Sequence, residues 1–347
     1  MNAEGRHSDL IPVSVVTGFL GSGKTTLLNA LLRHPAMDDT AVFINEFGEV
    51  GIDHLLVEQL ADDTILLNSG CVCCTVRGDL IEGLKSLFKR RVEGDAPKFA
   101  RVAIETTGLA DPAPIIHTLM ADGLLINHFK LDGVVTCVDA VHGEQQLTAH
   151  VEAVKQAAIA DRLVITKTDG ADETQSLLAR LKDLNPSAET IVAVKGDVHP
   201  DKLFGAGLFR ADEKTPDVRR WLREEAIDHH HDHHHSDVNR HDDHIRSFCL
   251  IVEEPIPWEG FLTWLEMLLD TKGERILRVK GVLRLDGVDH PVAIHGVQHV
   301  FHPASPLPAW PSTDRRSKIV FITRDISKEA IEKTFAAFVQ DASALRN

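Results

Sequence analysis

The sequence predicts an α/β domain with a mostly parallel sheet, followed by a smaller α+β domain with an antiparallel sheet. Three observations carry that prediction. Residues 10–205 alternate short β-branched runs with helical patterns, a glycine-rich turn follows the first run, and beyond a His/Asp-rich stretch strand patterns follow one another directly. The chain accordingly divides into a first domain at residues 10–212, a linker at 213–245 and a second domain at 246–343.

In the first domain the strand candidates are residues 13–17, 40–45, 65–68, 101–105, 133–139, 163–166 and 190–194. Several are continuous apolar runs, as strands covered on both faces must be. Residues 25–32 and 172–184 carry apolar side chains at helical spacing. In the second domain residues 247–252 read as a strand, 258–269 as a helix, and 275–285 as a strand ending at Asp286-Gly287. Residues 291–301 and 318–323 follow as strands. The closing helix starts near Ser327, whose hydroxyl can cap it, and its apolar stripe is Ile331, Phe335 and Phe338.

Composition narrows the function classes. Of 347 residues 43% are hydrophobic and 26% charged, which excludes global disorder. The net charge of −15 opposes binding to a phosphate backbone, so no nucleic-acid partner is expected. No apolar run approaches the roughly 18–20 residues that span a bilayer, so no membrane partner is expected either. The first ten residues lack a basic segment followed by an apolar core, and the expected location is the cytoplasm. Of five cysteines, Cys71, Cys73 and Cys74 are clustered, which points to thiolate chemistry rather than a disulfide framework. Cys137 and Cys249 sit in apolar runs and read as core residues.

Gly18, Phe19, Leu20, Gly21, Ser22, Gly23, Lys24 and Thr25 match G-x-x-x-x-G-K-[ST] in full, between a strand and a helix that continues with Thr26. The glycines let backbone N–H groups wrap a triphosphate, and the helix N-terminus adds positive potential. Lys24 is expected to reach the β- and γ-phosphates and Thr25 to ligate Mg²⁺. Glu105 ends a strand ahead of Thr106, Thr107 and Gly108. A carboxylate there can hold Mg²⁺ through water, although Asp is the usual residue, and Gly108 can give its N–H to the γ-phosphate.

Thr166-Lys167-Thr168-Asp169 follows another strand. The guanine-selecting pattern is Asn-Lys-x-Asp, so Thr166 departs at the first position. Asp169 can accept from both N1–H and the N2 amino group of guanine, whereas adenine leaves such a carboxylate unpaired. Lys167 can lie along the base plane. Replacing Asn is expected to remove a strut between loops rather than the base contact, so GTP remains favoured. Val194-Lys195-Gly196 is a weaker candidate for the other wall of the base pocket.

Cys71, Cys73 and Cys74 read as a short loop after a strand. In an extended segment Cys71 and Cys73 face the same way, and Cys74 joins them only if the chain turns. Two or three thiolates suit Zn²⁺ and leave a coordination position open, which favours a transferable ion. Glu46 and Glu49 can add an oxygen ligand from a segment that lies where P-loop GTPases carry a nucleotide-sensing switch. A redox switch and inert buried thiols are the other readings. His229, His230, His231, His233, His234 and His235 interleave with acids in a stretch with little to bury, and read as an accessory metal-collecting segment or a solvated linker.

GFLGSGKTT, NEFGEVGID, GCVCC, ETTGLADP and TKTD occur here in the order found in CobW-type P-loop GTPases, and the histidine run and the IHGVQHVFHP segment fit too. The sequence resembles that family from about residue 11 to residue 338. The resemblance implies a GTP-hydrolysing metallochaperone that hands a metal, most often zinc, to a client protein. It implies metal held at Cys71, Cys73 and Cys74 with help from the switch carboxylates, and a second domain concerned with client or metal handling. Cobalt delivery for corrinoid synthesis stays open, because thiolates and imidazoles also take Co²⁺. A passive His-rich store and a small-metabolite kinase are the rival classes, and the oligomeric state is open.

Overall fold

Strands without a polar face need cover on both sides, and the first part of the chain supplies it. The computed structural model describes residues 10–44, 57–61, 64–67, 72–75, 80–171, 173–205 and 244–340. Its residues fall into two compact units, Met1–Leu177 with Glu189–Gly207 and Leu178–Ala188 with Leu208–Asn347.

The strands of the first unit are β1 (Ile11–Gly18), β2 (Thr40–Ile44), β3 (Val57–Ala61), β4 (Thr64–Leu67) and β5 (Val72–Thr75). They continue as β6 (Arg101–Glu105), β7 (Phe129–Asp139), β8 (Arg162–Thr166) and β9 (Glu189–Ala193). All join one sheet in the order β3-β4-β5-β2-β6-β1-β7-β8-β9. From β5 to β9 every neighbouring pair is parallel, while β3 and β4 run antiparallel at one edge. The helices are α1 (Lys24–Leu31), α2 (Leu80–Glu93), α3 (Ala113–Ala121), α4 (Leu125–His128), α5 (Gly143–Ala149) and α6 (Val151–Ala158), while α7 (Gln175–Leu184) begins in the first unit and continues into the second.

The spacing of Leu27, Leu28 and Leu31 puts one face of α1 into the core with Val16, Val135 and Val164 of the sheet. Each buried leucine contributes about 1.5–3 kcal/mol relative to exposure, so the helix is fixed beneath the glycine turn that begins it. In an open parallel sheet, ligands bind beyond the carboxyl ends of the strands. Gly18, Ile44, Thr75, Glu105, Asp139 and Thr166 all end parallel strands.

The second unit carries β10 (Ile245–Val252), α8 (Trp258–Lys272), β11 (Ile276–Leu283), β12 (Val292–Val297), β13 (Val300–Phe301), β14 (Ser305–Pro306), β15 (Ser317–Arg324) and α9 (Lys328–Phe335). The sheet order is β10-β15-β11-β12-β13, antiparallel throughout, with β14 beside β12. Its core brings Phe261 and Trp264 of α8 and Phe335 of α9 onto Phe248 and Phe321. Trp264 and Phe335 meet edge to face at 5.0 Å, and the indole N–H donates to Thr334 Oγ1 at 3.1 Å. The Ser327 hydroxyl accepts from the Ala330 N–H, capping α9 as its position implied.

Two expectations are corrected. Residues 291–301 are not one strand: the chain turns at Gln298, whose φ of 49° is left-handed, and Gly296 pairs with Phe301 across the hairpin. Cys73 and Cys74 do not lie in a loop, because Val72–Thr75 is an internal strand with Cys73 opposite Val42 and Ile65, and Cys74 opposite Phe43 and Thr64. The backbone makes no turn between Cys73 and Cys74. Among the described residues no helix is long and apolar enough to cross a membrane.

Candidate functional site

The phosphate loop is shaped by conformations that side chains resist. Gly18 closes β1 at φ 139°, and a Cβ there would strike the Cys137 carbonyl of β7. Gly21 and Gly23 follow at φ 71° and 88°. Gly23 heads α1 with no side-chain cap, so the first N–H groups of the helix remain available to an anion. Lys24 is buried along the loop, its Nζ donating to the carbonyls of Gly18 (3.0 Å) and Phe19 (3.1 Å). Phe19 stacks on His150 with ring centres 4.4 Å apart, and Leu20 projects outward.

Beside this loop the Thr25 hydroxyl donates to Glu105 Oε1 at 2.8 Å. Glu105 is 1% exposed at the end of β6. A hydroxyl and a carboxylate in contact are hard oxygen donors, the donor set that suits Mg²⁺. Thr106 stitches β6 to β1, its Oγ1 donating to Thr17 Oγ1 at 2.8 Å and its N–H to the Val16 carbonyl at 3.0 Å. The chain then turns over Thr107–Ala110, where a Cβ on Gly108 would lie 2.8 Å from the backbone N and Cα of Leu20. Glu105, Gly108, Lys24 and Thr25 are thus brought together.

Across the phosphate loop, Thr166 Oγ1 donates to the Ser22 carbonyl at 2.7 Å, with the Val138 carbonyl at 3.2 Å. The strut expected to vanish with Asn is therefore present: the Thr166 hydroxyl at the strand end ties its loop to the phosphate loop. Lys167 has φ 56°, and its Nζ donates to Asp139 Oδ2 at 2.7 Å. Burial alone would raise the Asp139 carboxyl, but Lys167 and the N–H groups of Val141 and His142 outweigh it and hold it below the usual carboxylate range. Asp169 is exposed in the turn Thr168–Gly170 that follows. Gly196, at φ 81°, is pressed against α1, a Cβ there falling 2.8 Å from the Thr26 carbonyl, so the segment 194–196 borders the same helix.

The metal candidates stand differently. Cys71, Glu46, Glu49 and the histidines His229, His230, His231, His233, His234 and His235 lie outside the described residues. Cys73 and Cys74 are described as backbone in β5. Among the described residues no three His, Cys, Asp or Glu side chains gather to hold a metal ion. Cys137 and Cys249 are buried, as their apolar runs implied, and burial pushes the Cys137 thiol up to about 12.

Three contributors escaped the sequence reading. Asp139 was legible only as a strand-end carboxylate. His150 and Gln156 belong to helix patterns whose ring and amide contacts depend on distant loops.

A β1 strand, a wrapped glycine turn, a capless helix and a carboxylate at the neighbouring strand end define a P-loop nucleotide-binding domain, here joined to an α+β domain. The chain belongs to the CobW/HypB/UreG nucleotide-binding domain family, which matches residues 12–192. Residues 245–339 match the cobalamin synthesis protein cobW C-terminal domain. The chain is 33% identical over 326 residues to the zinc chaperone YjiA of Escherichia coli, covering 94% of this chain and 98% of that protein. It is 31% identical over 229 residues to the zinc chaperone CobW of Sinorhizobium sp, covering 57% and 63%. The crystal structure of Zn(II)-bound YjiA GTPase from E. coli matches with a TM-score of 0.74 at 33% identity, over 95% of this chain and 99% of that one.

Proposed function

We propose that this protein is a cytoplasmic GTP-hydrolysing metallochaperone that binds zinc at the Cys71, Cys73 and Cys74 motif and passes it to a client protein. With no turn to bring Cys74 beside Cys73, the thiolate pair is Cys71 and Cys73, and Glu46 or Glu49 adds an oxygen. The observation that carries this reading is a register. Cys74 pairs with Phe43 of β2, and Phe43 pairs with Ile104 of β6, one residue before Glu105. Two strand spacings are about 10 Å, so the thiol strand and the Thr25–Glu105 pair share one end of one sheet. β2, the strand between them, leads directly into the segment that holds Glu46 and Glu49.

In this reading the phosphate-loop N–H groups and Lys24 take the β- and γ-phosphates, and Gly108 gives its N–H to the γ-phosphate. Thr25 and Glu105 hold Mg²⁺, which when bound offsets negative charge on the phosphate oxygens. Asp169 selects guanine. Loss of the γ-phosphate releases the segment following β2 and loosens the zinc ligands, and the client's own ligands complete the transfer. The names of the relatives, zinc chaperones and a zinc-bound GTPase, support zinc over cobalt as cargo.

Zinc titration of the full chain, of Cys73→Ser and of a chain lacking residues 228–244 tests the assignment. The expected result is one tight equivalent in the full chain, retained by the deletion and lost in Cys73→Ser. Retention by Cys73→Ser together with loss in the deletion makes the protein a histidine store and overturns the reading.

A further inference from the structure

Among the buried residues of α6, namely Ala153, Val154, Gln156, Ala157 and Ala158, Gln156 alone is polar. A wholly buried carboxamide is costly unless its donors are used. Gln156 Nε2 donates to the carbonyl of Gly108 at 3.2 Å and to that of Ala110 at 2.9 Å, so both amide hydrogens go to one turn. That turn is closed by the Ala110 N–H, which donates to the Thr107 carbonyl at 3.1 Å. In a trans peptide the C=O and N–H point opposite ways. With the Thr107 carbonyl directed to Ala110, the Gly108 N–H is directed away from the turn, and among the described residues it meets no backbone acceptor.

The same helix grips its surroundings at two more points. Lys155 Nζ meets Asp111 Oδ2 at 3.2 Å, just past the turn. His150, immediately before α6, stacks on Phe19 of the phosphate loop. The turn itself rests on Leu20 through Gly108. One helix therefore holds both the phosphate loop and the turn after β6 in a fixed relation.

We propose that Gln156 is a positioning residue for GTP hydrolysis: its carboxamide locks the turn 107–110 so that the Gly108 N–H is presented to the γ-phosphate. This rests on the reading that Gly108 meets the γ-phosphate. Gln156 has no role toward GDP, which lacks that group, and none toward the base. Its removal therefore acts on turnover and on γ-phosphate recognition, leaving the rest of the nucleotide bound as before.

The test compares Gln156→Met, which keeps the shape and loses both donors, with Gln156→Asn, whose amide is one methylene too short to reach both carbonyls. GTP turnover, GDP affinity and thermal midpoint are measured for each, with Gly108→Ala as reference. The expected result for both Gln156 variants is a fall in kcat of about 10- to 100-fold, the scale of a small misplacement at a reacting centre, with GDP affinity within about twofold of the parent. If Gln156→Met does not fold, Gln156→Asn decides alone. Unchanged kcat, or GDP affinity falling in step with kcat, overturns the proposal and leaves Gln156 a packing residue. Unchanged kcat in Gly108→Ala overturns the reading beneath it; impaired Gly108→Ala beside fully active Gln156 variants overturns the positioning role only.

Discussion

The hydroxyl of Thr166 and the carbonyl of Ser22 are joined by a 2.7 Å hydrogen bond across 144 residues of sequence. Both residues are buried, so neither group has water as an alternative partner. The bond ties the loop after β8 to the middle of the phosphate loop. Packing reinforces it, since a Cβ on Gly23 would lie 3.3 Å from the same Thr166 oxygen.

Thr166→Val keeps the shape and deletes the donor, stranding the Ser22 carbonyl. The expected loss is about 1–3 kcal/mol of stability, the cost of an unsatisfied buried acceptor. Denaturant titration measures it. Weaker GDP binding accompanies the change, because the two loops are no longer held in register. Thr166→Ser, which retains the hydroxyl, stays close to the parent in both.

The glycines of the phosphate loop differ in what a methyl group meets. At Gly18 it strikes the Cys137 carbonyl, which is backbone and cannot step aside. At Gly21 it meets nothing within 4 Å, and only the left-handed φ of 71° resists it. Gly21→Ala is therefore expected to cost about 1–2 kcal/mol, the ordinary strain of a left-handed alanine. Gly18→Ala is expected to cost more and to abolish nucleotide binding. Thermal unfolding with and without GDP separates the two.

Asp139 gives the fold an acid-sensitive joint. Its folded carboxyl lies below its unfolded value, chiefly because the bond from Lys167 and two backbone N–H groups overcome the burial penalty. Its stabilisation is full above the unfolded value near ~4 and drains away as pH falls through the lower folded value. Asp139→Asn removes that dependence, so its stability curve falls less steeply than the parent's below pH ~4. Lys167 is half exposed, and added salt weakens the pair from that side. Urea midpoints from pH 3 to 7 make the comparison.

Thiol labelling distinguishes the buried cysteines from the cluster. With its thiol pushed up to about 12 by burial, Cys137 stays protonated and shielded in the native protein. Native-state alkylation at pH 8 is expected to leave Cys137 and Cys249 unmodified, and brief unfolding to expose both. Mass spectrometry of the peptides reads the result.

How much of this was legible depended on whether the signal is local. The G-x-x-x-x-G-K-T turn is written in consecutive residues whose backbone needs are their own, so the loop, α1 and the strand before it were all visible. The stripe of Ile331 and Phe335, and the Ser327 cap, were visible for the same reason. The strand through Cys73 and Cys74 was not, because Val-Cys-Cys-Thr has no alternation of its own and is made a strand by pairing with β2 and β4. The hairpin at Gln298 lacks a glycine or asparagine to announce it. Gln156 and Asp139 acquire their roles from partners on remote loops, which spacing along one chain segment does not encode.

If the thiol strand and the phosphate loop work as one device, zinc affinity follows the nucleotide state. The most direct measurement is a competitive zinc titration of the full chain loaded in turn with GDP and with a non-hydrolysable GTP analogue. Zinc is expected to bind more tightly with the triphosphate, by about 5- to 150-fold, the usual range of a coupling between sites. The same affinity in both nucleotide states contradicts it.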